Sequence, residues 1–107
     1  MNILFVCSRN QWRSPTAETL YKSHPDYTAK SAGTEPSARI KLTAKLIEWA
    51  DLIFAMEKRH KERMTSKFPE AIKGKHIVVL DITDDYGYMD EELIESITTA
   101  VSPYLDS

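Results

Sequence analysis

NILFVCSRNQWRSPTAE, residues 2–18, holds two periodicities joined by a short loop. Ile3, Leu4, Phe5 and Val6 are a continuous apolar run, which reads as a strand buried on both faces over Asn2 to Cys7. Ser14-Pro15-Thr16-Ala17-Glu18 reads as a helix start. Serine is a good N-cap, proline suits the first turn, and an early glutamate suits the helix dipole. That helix is predicted to run to about His24 and to stop before Pro25.

The same alternation continues outward. A second strand is expected over Tyr27 to Ala32, ended by Gly33. Thr43 can cap a helix through Trp49, with Leu46, Ile47 and Ala50 on one face. Leu52 to Ala55 reads as a third strand, Glu57 to Lys67 as a charged helix that stops before Pro69, and His76 to Leu80 as a fourth strand. Asp81 to Asp90 is an acidic loop. Leu93, Ile94, Ile97, Ala100, Val101, Tyr104 and Leu105 then recur at helical spacing. Strands alternating with helices imply right-handed crossovers and a covered parallel sheet. The expected fold is α/β: a three-layer sandwich with one four-stranded parallel sheet, order 2-1-3-4, and helices on both faces. With 107 residues there is room for one core, so residues 1–107 are expected to form a single domain.

Composition narrows the function classes. The chain is 42% hydrophobic and 28% charged, as ordinary globular proteins are. A formal net charge of -2 gives no general attraction to nucleic acid or to an anionic membrane. The apolar start is too short for a signal peptide or a membrane span. One cysteine cannot form an internal disulfide. The expectation is a cytoplasmic protein with a reduced thiol, no nucleic-acid partner and no membrane partner.

In a doubly wound sheet, ligands sit beyond the carboxyl ends of the strands, at the switch point. The loop Cys7 to Arg13 lies there. Its backbone N–H groups, from Ser8 to Ser14, can turn inward around an anion, and the helix N-terminus adds positive potential. Arg13 adds a planar fork that matches two phosphate oxygens. Cys7 lies at the base of this cradle, where positive potential favours thiolate over thiol. The Ser14 hydroxyl can donate to that sulfur. A thiolate beneath a bound phosphate is a nucleophile aimed at phosphorus. The Gly-rich nucleotide loop is a different pattern, since no glycine pair and no Gly-Lys-Ser/Thr occurs here.

VCSRNQWRSPTAE resembles the phosphate-binding signature of the low-molecular-weight protein tyrosine phosphatase family, V-C-x-G-N-x-x-R-S-P-x-A-E. Val6, Cys7, Asn10, Arg13, Ser14, Pro15, Ala17 and Glu18 carry the match. SAGT (Ser31 to Thr34), ADLIFAM (Ala50 to Met56) and DITDDY (Asp81 to Tyr86) resemble later landmarks of that family, in the right order. The resemblance implies that Cys7 forms a phosphocysteine and that Arg13 holds the phosphoryl oxygens. It implies that Asn10 shapes the loop, often through a left-handed backbone, that Ser14 assists the thiolate and that Ser31 supports the network. Asp84 matches the family's general acid, which protonates the leaving oxygen and then activates water. Ser8, Arg9, Gln11 and Trp12 complete the phosphate loop. The resemblance implies no cofactor and no metal, because loop amides and Arg13 supply the electrostatic stabilisation.

Four departures set further expectations. Arg9 stands where the family has glycine; a left-handed backbone there costs arginine roughly a kcal/mol, and otherwise it adds charge to the pocket rim. Gln11 and Trp12 replace an apolar residue and a frequent second cysteine, so the family's protective disulfide cannot form. Asp85 replaces proline, loosens the acid loop and makes Asp84 or Asp85 the acid. Between SAGT and Thr43 only Glu35 to Leu42 remain of a longer family segment, so the pocket is expected to be open. Tyr86, Tyr88 and Trp12 are the aromatic candidates for its wall.

EKRHKERM, Glu57 to Met64, reads as a solvated helix face with Glu57–Lys61 as an i,i+4 pair. His24, His60 and His76 read as surface or strand-end residues, and Trp49 as helix–sheet packing. The leading functional expectation is a metal-independent, cysteine-dependent phosphomonoesterase acting on phosphotyrosine or another aryl phosphate, with a phosphorylated protein or a small phosphoester as substrate. The alternatives are a phosphate-recognising binding module with little turnover, a phosphatase for a small non-protein phosphoester, and an arsenate reductase that would need an external thiol.

Overall fold

The structure is a computed structural model that describes residues 1–105. Four strands form one parallel sheet: β1 (Asn2–Cys7), β2 (Thr28–Gly33), β3 (Leu52–Ala55) and β4 (His76–Val79), in the order β2-β1-β3-β4. The expected order and the three layers are observed. The helices α1 (Arg13–Tyr21) and α5 (Glu91–Leu105) cover one face, and α2 (Ala44–Trp49), α3 (Lys58–Lys67) and α4 (Pro69–Ile72) cover the other.

Strand alternation explains the two layers of core. Ile3, Phe5 and Cys7 join Leu52 and Phe54 under α1 and α5, where Ala17, Leu93, Ile97 and Val101 close the layer. Leu4 and Val6 join Ile53 and Ala55 on the opposite face, against Ile47 and Met64. Each fully buried aliphatic or aromatic side chain of this kind contributes about 1.5–3 kcal/mol. Both faces of β1 are therefore occupied, which is why its sequence is apolar without a break.

Registers place the site. Cys7 pairs with Gly33 at the carboxyl ends of β1 and β2, while Val6 pairs with Ala55 of β3. A Cβ on Gly33 would lie 2.5 Å from the Ser8 carbonyl oxygen and 2.6 Å from Ala38 Cβ. Glycine is thus required where β2 passes beneath the loop that follows β1.

Several local expectations change. The first helix ends at Tyr21, not near His24, and its N-cap is Trp12 with no side-chain cap bond. Ser14 sits inside the helix because its hydroxyl is used elsewhere. Pro69 starts α4 rather than merely stopping α3, since proline suits a first helical position. Thr43 does cap α2, accepting from Leu46 N at 3.2 Å. Trp49 packs against the α2-side core and lies under Lys30 Nζ, 4.5 Å from the ring centroid. Among the described residues, no helix is long and apolar enough to cross a membrane.

Candidate active site

The loop from Cys7 to Arg13 is held from outside by the connection between β2 and α2. Thr34 N donates to Cys7 O at 2.9 Å, Glu35 N to Ser8 O at 2.9 Å, and Arg39 N to Arg9 O at 3.0 Å. Arg39 Nε donates to Asn10 O at 3.1 Å. A trans peptide sends each carbonyl opposite to the next N–H, and the chain has no cis bond among the described residues. Four carbonyls tied outward therefore turn the N–H groups of Ser8, Arg9, Asn10 and Gln11 toward the inside of the loop. Asn10 N donates to Cys7 Sγ at 3.3 Å, in agreement with that orientation. Glu35 to Leu42, the expected remnant of a longer family segment, thus supply with Thr34 the back of the cradle.

Asn10 shapes the inside. Its φ of 57° is left-handed, a conformation that asparagine tolerates better than most residues. Arg9 is not left-handed, so it carries no such strain; it is exposed at the rim, with its Nε 3.6 Å from Glu35. Asn10 Nδ2 donates to Ser14 Oγ and to Ser31 Oγ, each at 2.8 Å. Because Ser14 Oγ accepts there, its own proton is free to donate to Cys7 Sγ at 2.9 Å. Ser31 likewise accepts from Asn10 and donates to the Glu18 carboxylate. Glu18, read as a helix-start charge, is the outer anchor of this network.

Arg13 is 2% exposed. Its Nη1 donates to Glu57 Oε1 at 2.5 Å and to Ile82 O at 2.8 Å, and its Nε lies 3.5 Å from Asp84 Oδ1. Glu57 does not form the expected surface pair with Lys61: it binds Arg13, and Arg59 donates to the same oxygen at 3.0 Å. Partial burial pushes the Glu57 carboxyl up, but hydrogen bonds from Arg13 and Arg59 outweigh it and hold it below the usual range.

The acidic loop runs from β4 to α5 and touches α1 on the way. Ile82 N donates to Met56 O at 2.8 Å at its start, and Met89 N to Thr16 Oγ1 at 2.9 Å near its end. Asp84 reaches Arg13, whereas Asp85 accepts from Thr83 Oγ1 at 2.6 Å. Tyr86 packs against the α5-side core. Trp12 and Tyr88 remain exposed, Tyr88 OH lying 2.9 Å from Thr19 Oγ1, and Gln11 is exposed beside them.

His60 corrects the reading of that residue as a surface histidine. It is 1% exposed, in the first turn of α3. Burial lowers its pKa to about 4, and the charges of Arg13, Arg59 and Arg63 act the same way against the opposing Glu57. The neutral ring is therefore the folded form near neutrality. Relative to an unfolded pKa of about 6.5, this contribution is complete above that pH and is lost as pH falls toward about 4. The full shift corresponds to about 3 kcal/mol. Urea unfolding across pH 7 to 4 should show a steep fall in stability, flattened in His60→Gln; equal slopes would contradict it.

Glu57 and His60 were missed because their neighbours look like an ordinary solvated helix. One signal was available: Glu57 follows a fully apolar strand by two residues, at the carboxyl edge beside β1, where the site must lie.

No protein-family model matches the chain. A low-molecular-weight protein-tyrosine-phosphatase, Wzb of Escherichia coli K12, is 33% identical over 115 aligned positions, covering 85% of this chain and 73% of that protein. The chain belongs to the low-molecular-weight protein tyrosine phosphatase family. It is thereby one of the cysteine-dependent phosphatases, with Cys7 in the phosphate-loop position. A protein-arginine-phosphatase of Bacillus subtilis strain 168 is 32% identical over 118 positions, covering 76% of this chain and 79% of that one. An alignment longer than the chain means that this family relative carries stretches with no counterpart here, in keeping with the short β2–α2 connection. The solved structure of a YwlE arginine phosphatase, a cysteine-to-serine mutant with a phosphorylated active-site serine, matches with TM-score 0.72 and 26% identity. It covers 99% of this chain and 97% of that one.

Proposed function

We propose that this phosphatase removes phosphoryl groups from protein side chains, phosphotyrosine or another aryl phosphate first among them, without a metal ion. The observation that carries the reading is the environment of Cys7 Sγ, which meets the Ser14 hydroxyl at 2.9 Å and the Asn10 amide at 3.3 Å inside a loop whose carbonyls are tied outward. A sulfur so surrounded by donors is suited to attack as thiolate. The P–S bond forms as the P–O bond breaks, and Asp84 gives its proton to the departing oxygen. Asp84 then takes a proton from water, whose oxygen attacks phosphorus; the P–S bond breaks and inorganic phosphate leaves. Loop amides and Arg13 stabilise the equatorial oxygens. Glu57 and Ile82 O hold Arg13 by Nη1, so Nη2 is left for one phosphoryl oxygen, and Nε for a second once Asp84 exchanges its 3.5 Å contact there for the leaving oxygen.

Substrate choice follows from the rim. Exposed Trp12 and Tyr88 offer flat apolar surfaces for an aromatic leaving group, and the short 34–42 connection leaves the mouth open to a protein. The relatives, named for tyrosine and for arginine, fit the broader class of phosphorylated protein. The lone thiol suits a reducing compartment, and the cytoplasm is the proposed site of action.

The test is a panel of p-nitrophenyl phosphate, phosphotyrosine peptide, phosphoarginine protein, and sugar and nucleotide phosphates, run with and without chelator. Aryl phosphate and phosphotyrosine are expected to turn over equally with chelator present. Acid quenching should trap one phosphoryl group on the Cys7 peptide. Turnover that requires a metal, or that leaves Cys7 unmodified, overturns the mechanism. Turnover of small metabolites alone overturns the substrate reading.

A further inference from the structure

His60 uses both ring nitrogens. Glu57 N lies 3.0 Å from Nδ1, and a backbone N–H can only donate, so Nδ1 is the acceptor. In the neutral ring the proton then sits on Nε2, which donates to Ser8 Oγ at 2.9 Å. Ser8 is the residue after Cys7, and its amide is one of those turned into the loop. Glu57 binds the Arg13 guanidinium through its side chain. The two halves of the oxyanion cradle, amides and guanidinium, thus meet at one point in the first turn of α3.

We propose that His60 is a positioning residue for phosphoryl transfer, holding the amide arm of the loop in register with Arg13 through the bonded chain Ser8–His60–Glu57. The proposal rests on the phosphatase reading of the site. The neutrality that burial imposes on His60 is what lets Nδ1 accept from Glu57 N. Protonation of that nitrogen would set two donors against each other. The titratable and charged groups around the ring are Arg13 from α1, Glu57 at the helix cap, and Arg59 and Arg63 on α3. Ser8 keeps its own hydroxyl proton to donate, because it accepts from His60.

Two replacements dissect the ring. Asparagine can put an acceptor near the Nδ1 position, keeping the Glu57 bond, but is too short to reach Ser8. Glutamine can put a donor near the Nε2 position, keeping the Ser8 bond. The experiment is a double-mutant cycle of His60→Asn with Ser8→Ala, read on p-nitrophenyl phosphate kinetics and on the dissociation constant of inorganic orthovanadate. Each single variant is expected to lower kcat about tenfold with KM within about twofold, and to weaken orthovanadate by about tenfold. The double variant should match either single, and His60→Gln, which keeps the Ser8 bond while the backbone N–H of residue 60 still donates to Glu57 O at 3.0 Å, should recover most of kcat. Independent, multiplying losses would overturn the proposal, as would wild-type kcat in Ser8→Ala, which leaves the histidine in place and threatens the fold least. Orthovanadate binding needs no turnover. Coupling there, in a wild-type protein that hydrolyses nothing, would leave the register device standing and remove the phosphatase reading instead.

Discussion

A Cys7→Ser variant is expected to lose turnover of p-nitrophenyl phosphate by about 10⁵-fold or more, the scale reached when the nucleophile of a concerted catalytic set is removed. It should keep its melting temperature and its affinity for inorganic phosphate. The replacement changes one buried atom. The Ser14 hydroxyl and the Asn10 amide touch the sulfur, but Asn10 Nδ2 also fixes Ser14 Oγ, and the outward-tied carbonyls hold the loop amides without it. What is lost is sulfur, intrinsically a far stronger nucleophile than oxygen; a hydroxyl at the same place attacks phosphorus poorly. Steady-state assays with isothermal titration of phosphate check both halves. Residual activity above about one per cent would mean that another group attacks phosphorus, well outside the range expected for a lost nucleophile.

The second large effect is at Arg13. Arg13→Ala is expected to lower kcat/KM by about 10³-fold, the range seen when one preorganised oxyanion donor is removed. It should also lower folding stability by about 2 kcal/mol, since Ile82 O loses its donor and Glu57 loses a bonded cation while Arg59 remains. The stability loss is discounted for the partial exposure of Glu57. Arg13→Lys separates the two roles. An ammonium can answer Glu57, but it cannot also reach Ile82 O and present a planar two-oxygen edge. Most of the stability should return while kcat/KM stays depressed by about 10²-fold. Chemical denaturation and kinetics on the same preparations decide this, and full recovery of activity in the lysine variant would contradict it.

The sheet and the cradle were legible because their signals are local. Ile3 to Val6 and Leu52 to Ala55 are unbroken apolar runs, and βα connections leave few choices of topology for a chain this short. Cys7, Asn10, Arg13 and Ser14 lie in one short stretch of sequence, so their proximity needed no tertiary knowledge. Ser14 shows the limit of local reasoning. Serine before proline favours an N-cap, but the hydroxyl donates to sulfur instead, and Trp12 takes the cap position without a side-chain bond. Glu57 and His60 were illegible for a related reason. Their sequence neighbours are lysines and arginines on a solvated face, and only the register of β3 against β1 brings the start of α3 to Ser8 and Arg13. Helix periodicity alone counts His60 as one more polar residue. The left-handed position was legible in kind, since asparagine was expected there, but Arg9 could be cleared of strain only by its backbone.

The bonds from Thr34, Glu35 and Arg39 to the outer carbonyls have a thermodynamic consequence. The ordering of the anion loop is completed when the chain folds, long before any ligand arrives. A visiting oxyanion then meets donors already aimed at it and spends none of its binding free energy on immobilising backbone. Even a bare inorganic anion, with no leaving group to grip, can therefore be held by this small and open site.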